Sequence, residues 1–208
     1  MKGCRRITLI LAFAITSAAF AQQTAPPPPA QQTVPAAPAH SAPPPAQSAQ
    51  QLAAAMQVIQ KELNSVGKLS FVVQVSNADE KGTSQMSEQA SNVIADPAAC
   101  TIHYHWWQSI SGNVVDDEDM SISLHDVLGV STMSSDEYLK KVAEEEGTTP
   151  DEMKGFYEIF DPPMFIVAMR LAGDNGEGFT FTDQKQAGRV GQAVAQAVVL
   201  CGGKSDPI

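Results

Sequence analysis

The chain has 208 residues and a formal net charge of −10 at pH 7, with 13 Lys and Arg against 23 Asp and Glu. Its one cluster of three basic residues, Lys2, Arg5 and Arg6, lies at the extreme N-terminus. Sequence-independent nucleic-acid binding and adhesion to an anionic membrane both need such clusters on the folded part, so the composition excludes the first and disfavours the second.

The first 21 residues (1–21) have the pattern of a secretory signal peptide. The basic residues precede an apolar run from Ile7, and Ala19-Phe20-Ala21 forms a small-residue cleavage pattern before Gln22. An uncleaved anchor is the alternative, but the run is short for a membrane span. We therefore expect a periplasmic or secreted protein that keeps no stable membrane span after cleavage. Cleavage removes the three basic residues and changes the formal net charge of the protein from −10 to −13.

Residues 22–47 contain no Asp, Glu, Lys or Arg and consist mostly of Pro, Ala and Gln. Runs such as Pro26–Pro29 favour extended polyproline conformations and offer no apolar face to bury. We expect a disordered, semi-rigid Pro/Ala/Gln-rich linker. Recognition of its proline runs by a partner is the alternative.

A single globular domain is expected over residues 48–208. Ser48 is a candidate cap for a helix with an apolar stripe. The stripe consists of Leu52, Met56, Ile59, Leu63 and Val66. Leu69–Val75 has the β-branched and aromatic content of a strand. The polar stretch Asn77–Ser91 indicates a long connection or an irregular hairpin.

Cys100–Ile110 is the most informative predicted strand. Alternation places one set of side chains on a core face, namely Cys100, Ile102, Tyr104 and Trp106. The other face then carries Thr101, His103, His105 and Trp107. The acidic run Asp116–Asp119 is expected to be a solvated loop, because it lacks the alternating ligands of a calcium-binding EF-hand. Met120–Leu124 is expected to pair back on the histidine strand.

In the second half of the chain two short helices are expected between the strands Val130–Met133 and Met164–Leu171. Ser134–Glu137 has a capping-box pattern that opens a helix. A second short helix is expected between Thr149 and Asp161, followed by a strand at Met164–Leu171. The last strand leads from Phe179 into a C-terminal helix that Thr182 or Asp183 caps. That helix has a core stripe of Ala187, Val190, Val194, Ala197, Val198 and Cys201.

Cleavage of the signal peptide would remove Cys4 and leave two cysteines, Cys100 and Cys201. Two thiols in an oxidising compartment favour one disulfide. The predicted bridge ties the end of the last helix to a central strand. A catalytic Cys-X-X-Cys pair is absent from the sequence, which argues against thiol redox chemistry.

Strands joined mainly by turns, with helices at both ends and a small helical insertion, indicate an α+β fold. We expect an antiparallel sheet or partial barrel with a packing helix at the C-terminus, similar in outline to pleckstrin-homology-like folds.

Three segments resemble a group of uncharacterised exported bacterial proteins. They are Val93–Trp106 (VIADPAACTIHYHW), Ser123–Val127 (SLHDV) and Phe179–Gly203, which begins FTFTD and ends LCGG. The resemblance implies export and implies no known activity.

His103 and His105 are candidate metal ligands, because residues two apart on a strand can offer two imidazoles to one zinc ion. The third ligand would come from His125, Asp126 or the Asp116–Asp119 run. The alternative is that both rings lie on a solvated or helix-covered face beside Trp107. Trp107 itself is a candidate ligand platform, although an aromatic ring under a helix fits equally well.

The sequence holds no Gly-X-Ser-X-Gly motif and no glycine-rich phosphate loop. We therefore expect a non-enzymatic exported domain that needs no cofactor and binds a small ligand or another protein of the cell envelope. A metal-binding protein or zinc-dependent enzyme that uses His103 and His105 is the alternative. A subunit of an envelope complex is a third hypothesis.

Overall fold

The computed structural model describes residues 45–77, 80–145, 147, 149, 157–160, 163–172 and 176–206. The predicted signal peptide at 1–21 and nearly all of the predicted linker at 22–47 lie outside the described residues. Residues 150–156 of the second short helix predicted above also lie outside them.

Three helices occur within the described residues, and all three were expected. Helix α1 spans Pro45–Val66, α2 spans Ser135–Glu145 and α3 spans Gln184–Leu200. Helix α1 begins three residues before the predicted cap Ser48, with a proline in its first turn, where the missing N–H is harmless. Among these helices, none combines the length and apolar content that a bilayer crossing requires.

The caps of α2 and α3 have the chemistry that the sequence predicts. At α2 the Glu137 carboxylate accepts a hydrogen bond from the Ser134 backbone N–H at 2.8 Å, and the Ser134 hydroxyl accepts one from the Glu137 N–H at 3.2 Å. At α3 the Asp183 side chain accepts from the backbone N–H groups of Lys185 and Gln186. Asp183, rather than Thr182, is therefore the cap.

The described strands form two open antiparallel sheets. The larger, sheet A, has the order β4-β3-β2-β1-β6, and the smaller, sheet B, has the order β5-β7-β8. The strands of sheet A are β1 Leu69–Asn77, β2 Glu80–Asp96, β3 Thr101–Ile110, β4 Asn113–Ser123 and β6 Tyr157–Phe160. Those of sheet B are β5 Val127–Ser134, β7 Phe165–Leu171 and β8 Gly176–Phe181. The predicted α+β fold with a C-terminal packing helix and the small insertion α2 is confirmed.

One local prediction was partly right and two were wrong. The stretch Asn77–Ser91 forms a hairpin with β1, as one of the two predicted alternatives, but its residues from Glu80 onward belong to the 17-residue strand β2. The acidic run Asp116–Asp119 lies inside strand β4, not in a loop. Residues Tyr157–Phe160 pair with β1 as a strand instead of ending a helix. In each case the residues themselves have only a weak preference for β structure. Hydrogen bonding to a neighbouring strand makes them extended.

The core lies between the sheets and the two long helices. Helices α1 and α3 pack on each other, α1 covers β2 of sheet A, and α3 covers sheet B. The largest completely buried side chains include Met56 and Ile59 of α1, Ile102 of β3, and Phe179 and Phe181 of β8. A two-point ion pair also joins the helices, because Arg189 Nη2 and Nε lie 2.9 and 3.2 Å from the Glu62 carboxylate oxygens.

The predicted disulfide is confirmed, since Cys100 and Cys201 are bonded with their Cα atoms 5.9 Å apart. Cys100 lies in the turn between β2 and β3, immediately before the strand on which it was predicted. Cys201 ends α3, and Gly202 with φ +85° follows in the left-handed conformation that terminates helices. The bridge therefore fixes the end of α3 to sheet A.

After α3 the chain returns to the edge of sheet B. Lys204 N–H donates to the Val127 carbonyl at 2.8 Å, and Val130 N–H donates to the Asp206 carbonyl at 3.1 Å. Gly129 and Asp206 thereby form a parallel bridge. This tail covers the first half of the β5 edge.

Candidate functional site

The predicted histidines lie on the face of sheet A that points away from the helices, which we call the outer face. Alternation along β3 places Thr101, His103, His105 and Trp107 there, while Ile102 and Tyr104 are buried on the opposite side. The predicted division of this strand into a core face and a second face is confirmed.

His105 is held between two carboxylates of the neighbouring strand. Its Nε2 atom lies 2.9 Å from Asp117 Oδ1, and its Nδ1 atom lies 3.0 Å from Asp119 Oδ1. The hydrogen bond to Asp119, followed by the charge of Asp117, raises the pKa of His105. Because both ring nitrogens face acceptors, the arrangement suits the doubly protonated imidazolium.

His103 lies on the same face with a different partner, because its Nε2 atom is 3.1 Å from the Thr101 hydroxyl. His125 lies in a 3-10 turn after β4, where a Cβ atom at Gly202 would approach its Nδ1 atom to 3.9 Å. Within the described part of the chain, no group of three or more His, Cys, Asp or Glu side chains is arranged to hold a metal ion. Zinc binding by His103 and His105 stays a prediction, and it would have to displace one of the two carboxylates from a ring nitrogen of His105.

Trp107 lies at the same surface as His105 and is half-buried. The ammonium group of Lys68 lies 4.3 Å from the centre of its ring, which is a cation–π contact. The ring is therefore covered on one side by a charged side chain, rather than by a helix.

Exposed apolar side chains lie beside these residues, and the sequence reading missed them. Ile94 is 59% exposed, Val114 is 55% exposed and Val72 is 36% exposed. Their strand partners are His103, Ser109 and Gln85, so the register places all three on the outer face. The sequence did contain one indication that Ile94 or Val93 would be exposed. Successive residues of a strand point to opposite faces, so only one of these two apolar neighbours can be buried in the same core.

Helix α1 fixes the direction in which Ile94 points. The pairing register of β2 with β3 shifts between Ser91 and Ile94, and Val93 has no partner residue on β3. The Asn64 side chain binds both backbone groups of Val93. The Val93 N–H donates to Asn64 Oδ1 at 3.0 Å, and Asn64 Nδ2 donates to the Val93 carbonyl at 2.9 Å. The irregularity is therefore held in place, and Val93 packs into the core while Ile94 points outward.

A second group of polar residues is enclosed where β2 and β3 meet β8. Glu88 and Gln108 face each other across the strands and are only 6% and 2% exposed. Burial raises the pKa of Glu88, against the effect of hydrogen bonds from Thr180 and Gln108. Beside Glu88 is a small cavity lined by Trp106, Thr180, Leu63 and Phe179 among others, in which the centre of a water molecule can occupy about 20 Å³.

A buried tyrosine continues this junction. The Tyr104 hydroxyl donates to Glu177 Oε2 at 3.3 Å, and its ring contacts Phe179 edge-on with the ring centres 5.2 Å apart. Burial, followed by the nearby Glu177 charge, raises the pKa of Tyr104, and burial also raises the pKa of Glu177. Two carboxyl groups at the junction of the sheets, Glu88 and Glu177, thus favour the protonated form.

Between β5 and α2 lies an open groove of about 540 Å³, lined by Val130, Met133 and charged residues of both signs. Lys140 and Glu144 approach each other there to 4.0 Å.

No known protein family, curated protein or solved structure matches this chain.

Proposed function

We propose that this protein is an exported, non-enzymatic binding domain of the cell envelope, and that the outer face of sheet A contacts its partner. The observation that carries the proposal is the exposure of Ile94 and Val114, 59% and 55%, on the same face as the partly exposed Trp107. Protein interfaces combine apolar and aromatic side chains with charged ones. On this face the charged side chains are Lys68, which contacts Trp107, and Asp117 and Asp119, which contact His105.

The shape of the face favours a protein partner over a small ligand. Small-molecule sites are concave and have volumes of about 300–1,000 Å³. A strand face is nearly flat, and the enclosed cavity beside Glu88 offers the centre of a water molecule only about 20 Å³. The groove between β5 and α2 reaches that size, but its charges of opposite sign lie close to each other and favour no ligand charge.

Three features support export. The first 21 residues have the charge, apolar run and cleavage pattern of a signal peptide. An uncharged proline-rich segment separates them from the domain. The Cys100–Cys201 disulfide is typical of proteins that fold in an oxidising compartment. N-terminal sequencing of the protein from its native envelope is expected to give Gln22 as the first residue, and an intact Met1 would contradict this.

The test of the binding face uses capture of partners by the full-length protein from its native envelope. We compare wild type with Ile94→Asp and with the matched control Val199→Asp, because Val199 on α3 is 57% exposed, nearly as much as Ile94. Ile94→Asp is expected to lower recovery of the partner about ten-fold or more, since it replaces an apolar side chain of the proposed contact with a charge that would have to be desolvated. The control is expected to leave recovery unchanged.

Three outcomes contradict the proposal. Equal loss in the Ile94→Asp and Val199→Asp variants, or full recovery in both, would show that the outer face is not the contact surface. Reproducible substrate turnover by the purified protein, lost on a single substitution, would show that the protein is an enzyme.

Zinc binding is the alternative function, and one observation favours it: His103 and His105 share the outer face of β3. Elemental analysis and zinc titration compare wild type with the His103→Ala/His105→Ala double variant, with His125→Ala as control. One tightly held ion per chain, lost in the double variant and kept in the control, would establish the zinc site. An ion lost in His125→Ala as well would restore His125 as the third ligand.

A further inference from the structure

Three buried polar atoms have no hydrogen-bond partner within the described part of the chain. They are Glu88 Oε1, Gln108 Oε1 and Trp106 Nε1. Native proteins satisfy the large majority of buried polar atoms, because an unsatisfied one loses its hydrogen bonds to water without replacement. Three such atoms at one place therefore require an explanation.

The three atoms belong to neighbouring positions on the inner face of sheet A. Glu88 is paired with Gln108 across β2 and β3, and the next inward-facing pair along the strands is Ala90 with Trp106. Glu88 and Trp106 also line the cavity beside Thr180, which holds about 20 Å³ for the centre of a water molecule. A space of about 10–15 Å³ in this measure suffices for one water molecule.

The donors and acceptors around Glu88 define what the site can hold. Hydrogen bonding from the Thr180 and Gln108 side chains favours the ionised Glu88 carboxyl group, while burial, the larger cause, favours the protonated one. Of the three unpaired atoms, Trp106 Nε1 is a donor and Gln108 Oε1 is an acceptor. Glu88 Oε1 accepts hydrogen bonds in the carboxylate and can accept or donate in the carboxylic acid.

We propose that this cavity binds one internal water molecule, which accepts a hydrogen bond from Trp106 Nε1 and hydrogen-bonds to Glu88 Oε1, the two unpaired atoms whose residues line the cavity. A metal or ammonium ion cannot accept the indole N–H, and an apolar ligand would leave both atoms unsatisfied. Water has the size and can both donate and accept hydrogen bonds, as internal water molecules do. The molecule would join the central strands of sheet A beside their contact with Thr180 of β8.

The test is ¹⁵N NMR of the full-length, disulfide-bonded protein. We expect NOE and ROE cross-peaks of opposite sign between the Trp106 indole proton and water, which distinguish a long-lived bound water from proton exchange. Trp106→Phe identifies the indole signal by its loss. Trp107 is the matched control, because its neighbouring indole lies on the outer face.

Two further variants make the result decisive. Glu88→Gln/Thr180→Val removes the exchangeable carboxyl and hydroxyl protons while keeping the shapes, and the cross-peak is expected to persist. Glu88→Met fills the cavity with an apolar chain and is expected to weaken the cross-peak about ten-fold or more. A missing cross-peak in wild type, loss in the double variant, or an undiminished cross-peak in Glu88→Met would each overturn the proposal.

Discussion

The His105 imidazole shows how a weak sequence signal acquires a definite role in the structure. The spacing of His103 and His105 predicted only that both rings share a strand face. The partners of His105, Asp117 and Asp119, became evident only from the register of β3 with β4. Sequence reasoning expected a loop there, so it could not place these carboxylates beside the ring.

Replacing Asp119 with Asn is expected to lower the pKa of His105, because the hydrogen bond to Asp119 is the largest cause of its raised value. NMR titration of the His105 Cε1 proton measures the change. Asp136→Asn on α2 is the control and is expected to leave the midpoint unchanged. An unaltered midpoint in Asp119→Asn would contradict the ion pair.

Glu88 leads to a prediction about stability and pH. Its pKa in the folded protein is raised above the ordinary value of 4.5, so the folded state holds its proton more tightly than the unfolded state does. The resulting stabilisation is complete below pH 4.5 and is lost as pH rises through the folded pKa. Urea unfolding at a series of pH values is therefore expected to show a steeper fall in wild type than in Glu88→Gln.

The pH range and the control variant isolate the contribution of Glu88 to the pH dependence of stability. Comparison above pH 5 avoids the groups whose pKa values are lowered, such as Glu137 and Asp183, whose stabilisation is lost on acidification. Glu144→Gln on the surface of α2 is the control and is expected to keep the wild-type slope. Parallel curves for wild type and Glu88→Gln would show that Glu88 ionises without cost in the folded state.

At the scale of elements, the sequence predicted those whose own residues carry the pattern. Helices α1, α2 and α3 have apolar stripes or caps, and β3 alternates clearly. Strands β2 and β4 were predicted only in part, as an irregular hairpin and as Met120–Leu124, because most of their residues are polar or acidic, and the short strand β6 was missed. Their extended form depends on hydrogen bonds with neighbouring strands, which local pattern does not reveal.

Two glycines of α3 give a matched pair of substitutions. A Cβ atom at Gly191 would overlap the Thr132 hydroxyl of β5, whereas one at Gly188 would meet nothing within 4 Å. Gly191→Ala is expected to destabilise the protein by about 1–3 kcal/mol through overpacking. Gly188→Ala is expected to stabilise it by about 0.5–1 kcal/mol, because alanine loses less conformational freedom in a helix. Urea unfolding of both variants measures the difference, and equal effects would contradict the close approach of α3 to β5.

For the whole molecule, the fold class and the disulfide followed from the sequence, but the division into two sheets did not. Element types and connection lengths identify α+β. Which strands share a sheet depends on pairings between distant residues, such as β1 with β6. The candidate surface was predicted only in part for the same reason. The sequence indicated the residues of β3, but it did not indicate Ile94, Val114 and Val72, which strand pairing brings to the same face.

The disulfide is expected to be the largest single contributor to stability. It links residues 101 positions apart. In the chain-entropy model a loop of this length contributes about 4–5 kcal/mol, as an upper figure. The Cys100→Ser/Cys201→Ser double variant is expected to lose up to that amount in urea unfolding, and reduced wild type should match it. An unchanged unfolding midpoint in both would contradict the expectation.

The same bond divides the chain into a closed covalent ring and a free arm. Strands β3–β8, α2 and α3 lie inside the ring, while α1, β1 and β2 precede it. A single proteolytic cut between Cys100 and Cys201 would leave two fragments that migrate as one species without reductant. A cut between α1 and β1 would leave α1 held by non-covalent contacts, chiefly with β2 and α3. A protein of this design can therefore be nicked over half its length and remain one molecule.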